Sequence, residues 1–243
     1  MTAIAVTDLP RTWDEPEGVA PRGTLILLTG RGETAATYAR FGRRVSADAY
    51  KVRIVEVDSG DLDAARAAAE ALAADEALPA PKVLVGSDTG ATLAALLVGE
   101  LPVDAAVIAG LALPRTSAEV DGEWEDELEV RSACPTHRGT ISADAGFARG
   151  ALADPPPWDE VELSVPEVPL LVIHGREDRI TPVGEALKPW VGAETVEQHV
   201  VEGGRHDILN DVTHRSVAAT VILFLERLKL GADLPVIVRQ VGR

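Results

Sequence analysis

The feature that most constrains this chain is a regular alternation of short apolar runs with longer segments of helical periodicity. Runs rich in Val, Ile and Leu are bounded by turn residues, and most are separated by helical patterns. This order is typical of a parallel sheet buried on both faces. We therefore predict an α/β fold with a mostly parallel sheet flanked by helices. The runs lie at 24–29, 52–57, 82–85, 103–109, 169–173 and 197–201, and the helical patterns at 34–48, 61–75, 89–100 and 213–230.

The alternation stops between residues 114 and 167, where prolines, scattered charges and two tryptophans replace it. Long irregular segments are uncommon inside compact domains and are usually functional lids or links. The chain of 243 residues lies just below the roughly 250–300 residues at which a single core stops growing. We predict one core domain formed by 1–113 and 168–243, with 114–167 inserted as a cap or lid.

Composition and charge limit the binding partners and the cellular compartment that we expect for this protein. With 23 Lys and Arg against 39 Asp and Glu, the net charge is −16, which makes nucleic acid an unfavourable partner. No apolar run approaches the ~20 residues of a membrane span, and the first residues lack a secretory signal pattern. A single cysteine, Cys134, suits a reducing compartment. We expect a cytoplasmic protein, without a membrane span, that binds a small molecule.

The most informative motif is Gly86-Ser87-Asp88-Thr89-Gly90, which joins a predicted strand to a predicted helix. A nucleophile elbow places a reactive residue on such a turn, with small residues two positions before and after it. The glycines select Asp88 as the centre, because centring on Ser87 would put valine and threonine at those positions. Two alternatives remain open: Asp88 as a helix N-cap, and a phosphate-binding turn, which the lack of a following lysine disfavours.

Two further candidates follow later strands. Asp178 lies on the loop after the run at 169–173, and His206 follows the paired glycines after the run at 197–201. In open parallel sheets the loops at the carboxyl ends of strands gather at one edge, where ligands bind. We expect Asp88, Asp178 and His206 to converge there. Taken alone, Asp178 is better explained as a turn residue, and a single histidine is more often a structural residue.

Together these motifs resemble the α/β-hydrolase superfamily over residues 23–230, in which nucleophile, acid and histidine follow in that chain order. The family's H-G-x-G pattern is similar to residues 29–32, with Thr29 in place of histidine. The resemblance implies an oxyanion hole formed by the backbone N–H groups of Arg31 and Thr89. Members with Asp at the elbow resemble haloalkane or haloacetate dehalogenases and epoxide hydrolases.

A carboxylate nucleophile suits attack at sp³ carbon, because the alkyl ester that forms can be hydrolysed by water activated by histidine. The sequence departs from those enzymes where Thr89 replaces the usual Trp or Phe, and no tyrosine lies in the predicted cap. The resemblance therefore leaves Trp124, His137 and Trp158 as candidate substrate-binding residues of the cap.

We predict a hydrolase with Asp88 as nucleophile, His206 as general base and Asp178 orienting His206, without cofactor or metal. Asp88 as a general base stays open. The alternatives are a carboxylic ester, thioester or lysophospholipid-type hydrolase, and a non-catalytic small-molecule binding protein on the same fold. The apolar tail at 235–239 is a candidate strand or contact surface, which makes a homodimer possible.

Overall fold

The computed structural model describes residues 11–117 and 123–241. A seven-stranded sheet in the order β1-β3-β2-β4-β5-β6-β7 forms the centre. β1 pairs antiparallel with β3, and all other neighbours are parallel. The strands are β1 (Thr12–Trp13), β2 (Gly23–Leu28), β3 (Tyr50–Val55), β4 (Lys82–Asp88), β5 (Ala105–Leu111), β6 (Leu170–Gly175) and β7 (Val196–Val201).

Helices cover both faces of this sheet. The α-helices are α1 (Ala39–Ala47), α2 (Leu62–Ala74), α3 (Thr89–Leu97), α4 (Trp124–Arg131), α5 (Pro135–Ala143), α6 (Val183–Leu187) and α7 (His214–Leu228). One apolar cluster joins α1 and α7 to one face of the sheet, and a second joins α2, α3 and α6 to the other. Because β2, β5 and β6 are buried along their whole length, their unbroken apolar runs match two covered faces. The predicted fold class is confirmed.

Two predicted boundaries are wrong in informative ways. β4 continues past Val85 to Asp88, since residues 87 and 88 still pair with β5 through a register shift. The helix predicted at 34–48 divides into a 3₁₀ turn, Ala35–Tyr38, and α1. The Thr34 hydroxyl accepts the Ala36 N–H and caps that first turn, which is a usual role for threonine before a helix.

Residues 112–169 connect β5 to β6 and are called the β5–β6 segment here. They contain α4, α5 and a 3₁₀ turn at Ala151–Ala153, and a small apolar cluster of Leu128, Ile141 and Phe147. The predicted cap, 114–167, falls within this segment. Residues 1–10, 118–122 and 242–243, which the predicted domain ranges include, lie outside the described residues.

The described part of the C-terminal tail, up to residue 241, contains no strand, so an intramolecular strand at 235–239 is wrong. Arg227 donates to the carbonyls of Leu234 and Pro235 and thereby ties the start of the tail to α7. Val236 and Val238 are exposed. Within the described residues, every helix is too short or too polar to cross a membrane.

Candidate active site

The turn between β4 and α3 has the geometry of a nucleophile elbow. Asp88 has φ 52° and ψ −121°, a strained conformation for a residue with a side chain. Its carboxylate makes no N-cap bond to α3, so the N-cap alternative is wrong. Glycine is required at positions 86 and 90 because other backbone atoms lie too close for a side chain. A Cβ on Gly86 would lie 2.2 Å from the Gly90 oxygen, and a Cβ on Gly90 would lie 2.2 Å from the Leu28 oxygen.

Replacing Gly90 by alanine is expected to destabilise the fold by about 3 kcal/mol, because the added Cβ meets the backbone of β2 rather than a flexible side chain. Gly99 is the matched control, since a Cβ there meets nothing within 4 Å, and Gly99→Ala should change stability by less than about 0.5 kcal/mol. Urea denaturation of both variants measures this. Equal stability of the two would contradict the close packing of the elbow.

The structure brings Asp88, Asp178 and His206 together at the carboxyl ends of their strands. His206 Nε2 is 3.0 Å from Asp88 Oδ1, and His206 Nδ1 is 2.8 Å from Asp178 Oδ2. Asp178 also accepts the N–H groups of residues 180 and 181 through Oδ1, so it shapes its own turn while it orients the imidazole. Asp88 and His206 are each 1% exposed.

Arg31 binds Asp88 with both its backbone and its side chain. The backbone N–H donates to Asp88 Oδ2 at 2.7 Å, Nε donates to the same oxygen at 2.9 Å, and Nη2 donates to Oδ1 at 2.7 Å. Nη1 donates to the carbonyls of Thr116 and Asp154 in the β5–β6 segment. The expected oxyanion-hole donor thus holds the Asp88 carboxylate itself, and the guanidinium, 3% exposed, covers it.

Thr89, the other expected oxyanion-hole residue, is the first residue of α3. The first N–H groups of a helix have no acceptor within that helix. Its N–H is therefore of the kind that can stabilise negative charge beside Asp88.

The charges of the site set its protonation. Burial alone would raise the pKa of Asp88, but the Arg31 guanidinium and His206 outweigh burial and hold that pKa well below its usual range. Burial alone would lower the pKa of His206, but Asp178 and Asp88 raise it to about 10. The pKa of Asp178 is also lowered, against burial, by His206 and His174. His206 is accordingly an imidazolium at neutral pH, between two carboxylates.

This raised pKa predicts a pH dependence of stability. The pKa of His206 is about 10 in the folded chain against an ordinary 6.5, so its contribution is complete below about pH 6.5 and is lost as pH rises towards 10. The difference in unfolding free energy between the wild type and His206→Gln should therefore shrink over this range. Urea denaturation at several pH values checks it. A difference that stays constant from pH 6 to 10 would contradict the ion pairing.

A second buried ionic cluster lies beside the first and was not anticipated from sequence. Arg131 on α4 is fully buried and pairs with Glu127, Asp207 and Glu33 at 2.9, 3.4 and 3.7 Å. Burial and the neighbouring Asp207 raise the pKa of Glu33 to about 7, while Arg131 acts in the opposite direction. His137 Nε2 is 2.8 Å from Asp207 Oδ2. These five residues are called the Arg131 cluster.

The cap residues proposed for substrate binding have protein partners. The Trp124 indole N–H donates to the Ser142 hydroxyl, and the ring meets Phe147 edge-on. His137 belongs to the Arg131 cluster, and Trp158 packs against the apolar cluster on the α2 and α3 face. We find none of the three along the cleft that opens beside Arg31. Their expected role as substrate contacts stays a prediction.

That cleft has a volume of about 990 Å³. Alanines and a leucine of α2 form one wall, residues 146–155 of the β5–β6 segment line it as well, and Arg31 also lines it. Asp58 and Asp61 add negative charge. Within 11–117 and 123–241, no group of three or more His, Cys, Asp and Glu side chains could hold a metal ion.

Comparison with known proteins identifies the fold. No protein-family model matches the chain, and no curated protein matches it. Many solved structures do match. A soluble variant of monoglyceride lipase from Saccharomyces cerevisiae, in complex with a substrate analog, is 12% identical with a TM-score of 0.64, over 88% of this chain and 90% of that one.

Two further structures show the same architecture. The esterase EaEST from Exiguobacterium antarcticum is 16% identical with a TM-score of 0.65, over 88% of this chain and 94% of that one. The putative non-heme bromoperoxidase BpoC from Mycobacterium tuberculosis is 15% identical with a TM-score of 0.64, over the same shares. The chain has the α/β-hydrolase fold.

Proposed function

We propose that this chain is a hydrolase in which Asp88 is the nucleophile, His206 the general base and Asp178 the residue that orients His206. One observation carries the proposal: a buried carboxylate at a strained elbow is joined through one imidazole to a second carboxylate, at 3.0 and 2.8 Å. Nucleophile, base and orienting acid in hydrogen-bond sequence are the arrangement that nucleophilic catalysis needs.

The first step proposed is displacement at an sp³ carbon. An oxygen of Asp88 forms a bond to that carbon, and the leaving halide or epoxide oxygen departs with the bonding electrons. An epoxide oxygen must also receive a proton, which the His206 imidazolium, 3.0 Å from Asp88 Oδ1, can supply. The product of this step is a neutral alkyl ester of Asp88. An acyl substrate would instead give an anhydride, which is far less favourable.

Ester formation prepares His206 for the second step. Because the ester carries no charge, His206 loses one of the two carboxylates that raise its pKa, so its pKa falls and the neutral imidazole is reached more readily. The proton of the imidazolium goes to the epoxide oxygen in the first step, or to solvent when the leaving group is a halide. Neutral His206 then takes a proton from water, and the hydroxide attacks Cγ of Asp88. Negative charge develops on Oδ2, which the Arg31 N–H already contacts at 2.7 Å. Collapse expels the alkoxide, which takes the proton from His206 and leaves as the alcohol. The carboxylic acid of Asp88 then gives its proton to His206, which restores the carboxylate and the imidazolium.

Substrate access requires Arg31 to leave Asp88. The guanidinium occupies both carboxylate oxygens and also lines the cleft of about 990 Å³. Its Nη1 is held by carbonyls at 116 and 154. We infer that the β5–β6 segment acts as the cap, and that its movement releases the guanidinium and opens a path from the cleft to Asp88.

Two other functions have a specific observation in their favour. The solved structures of this fold include a monoglyceride lipase, an esterase and a thioesterase domain, which favours a carboxylic ester, thioester or lysophospholipid-type hydrolase. The ion pair of Arg31 with Asp88 favours a non-catalytic small-molecule binding protein, since it neutralises the nucleophile.

Incubation of the protein with pooled haloalkanes, epoxides, acyl esters and thioesters distinguishes the three. The proposal expects consumption of a haloalkane or an epoxide, with release of an alcohol or a diol. Consumption confined to acyl compounds would support the ester or thioester hydrolase. A rise in melting temperature with a compound that is never consumed would support the binding protein.

A further inference from the structure

Arg131 contacts two of the loops that carry the proposed active site, although it belongs to α4, outside the sheet. Its Nη2 donates to the backbone carbonyl of Arg31 at 2.9 Å. Its own backbone carbonyl accepts the N–H of Asp207 at 2.8 Å, and its Nη1 is 3.4 Å from Asp207 Oδ1. One side chain therefore fixes the residue that holds Asp88 and the residue next to His206.

The rest of the Arg131 cluster limits the freedom of this guanidinium. Glu127 Oε1 accepts from Arg131 Nε at 3.0 Å and lies one helical turn away on α4. Glu33 Oε2 accepts the Gly30 N–H at 2.7 Å, so the cluster also holds the residue before Arg31. His137 binds the second oxygen of Asp207 at 2.8 Å. The guanidinium has partners on three sides, which fixes its orientation as well as its charge.

The stability of the folded chain does not by itself explain why a buried ionic cluster lies here. Well-packed apolar side chains of similar volume are often as stable as a buried ion pair or more so. What an apolar residue could not do is donate to the Arg31 carbonyl and pair with Asp207 at the same time. Arg131 therefore connects the loop after β2 to the loop after β7.

We propose that Arg131 is a positioning residue that holds Arg31 and His206 on Asp88. This inference rests on the proposed function. Within residues 11–117 and 123–241, Arg131 makes no hydrogen bond or ion pair with Asp88; it acts through the backbone of Arg31 and through Asp207.

The test is the Arg131→Lys variant, which keeps the charge and loses the planar fork. The readout is the pKa of His206 from NMR titration of its imidazole, which requires no substrate. Asp88, Asp178, Arg31, His174 and the neighbouring Asp207 are charged or titratable groups around His206 and its carboxylate partners. If Arg131 positions the pair, the His206 pKa falls from about 10 to about 9 or lower, because the hydrogen bonds to both carboxylates lengthen.

Arg138→Lys is the matched control. Arg138 lies on α5, donates to the Ser132 carbonyl and pairs with Glu129, and should leave the His206 pKa unchanged. If Arg131→Lys does not fold, Arg131→Met/Glu127→Gln removes one charge of each sign, leaves Asp207 beside His206, and should lower the same pKa. An unchanged His206 pKa in either folded Arg131 variant overturns the proposal.

Kinetics then separate this inference from the proposed function. Once a substrate is known, Arg131→Lys should lower kcat about 10- to 100-fold with little change in KM. A protein that consumes no substrate would contradict the proposed hydrolase, while the NMR titration would still decide whether Arg131 positions His206.

Discussion

Replacing Asp88 by asparagine is expected to abolish turnover of whichever compound the wild type consumes, by at least ~10⁴-fold. The amide has nearly the shape of the carboxylate but cannot form the ester intermediate. The variant retains the elbow backbone, so loss of activity with a folded protein would isolate the chemistry. The measurement is the initial rate on the consumed compound, with circular dichroism as the check of folding.

Ser87→Ala is the informative control for Asp88→Asn. Ser87 adjoins Asp88 on the same turn and is buried, and it is the residue that an acyl-transfer enzyme would use if the centre of the elbow were shifted by one. We expect Ser87→Ala to retain most of the activity. Loss of activity in Ser87→Ala together with its retention in Asp88→Asn would contradict the assignment of the nucleophile.

Replacing Arg31 by methionine should reduce the free energy of unfolding by about 3–5 kcal/mol. The reason is that Asp88, 1% exposed, would lose its bidentate partner and keep a buried charge. The pKa of Asp88 should rise for the same reason, since the guanidinium is the strongest influence that lowers it. Urea denaturation at neutral pH measures the stability change.

A double-mutant cycle tests whether the Arg31 and Asp88 effects have one cause. Arg31→Met/Asp88→Asn removes both charges, so it should be more stable than the sum of the single variants predicts, by at least about 1 kcal/mol. Strict additivity would show that the two side chains do not pair in solution.

The fold was predictable because its determinants are local and repetitive. The runs that became β2, β4, β5 and β6 are predominantly apolar, as burial on both faces demands. The end of β4 was missed because Gly86-Ser87-Asp88 reads as a turn, whereas its pairing with β5 depends on a neighbour that sequence patterns do not show.

The convergence of Asp88, Asp178 and His206 could be expected from their places after strands, because parallel strands end at one edge. The ion pair of the Arg31 side chain with Asp88 could not be expected from the sequence. The similarity of residues 29–32 to the family's H-G-x-G pattern implied only a backbone role for Arg31. The contacts that hold its guanidinium over Asp88 come from the β5–β6 segment, whose placement is three-dimensional. The Arg131 cluster was missed for the same reason, since its members lie up to 174 residues apart in sequence, from Glu33 to Asp207.

The measurement that tests the central claim most directly is the intact mass of His206→Ala after incubation with the compound that the wild type consumes, followed by peptide mapping. Without the base, the ester of Asp88 should form and persist. The account predicts an alkyl adduct on the peptide that contains Asp88, and on Asp88 itself after fragmentation. An acyl adduct on Ser87, or no adduct while the wild type turns the compound over, would contradict it.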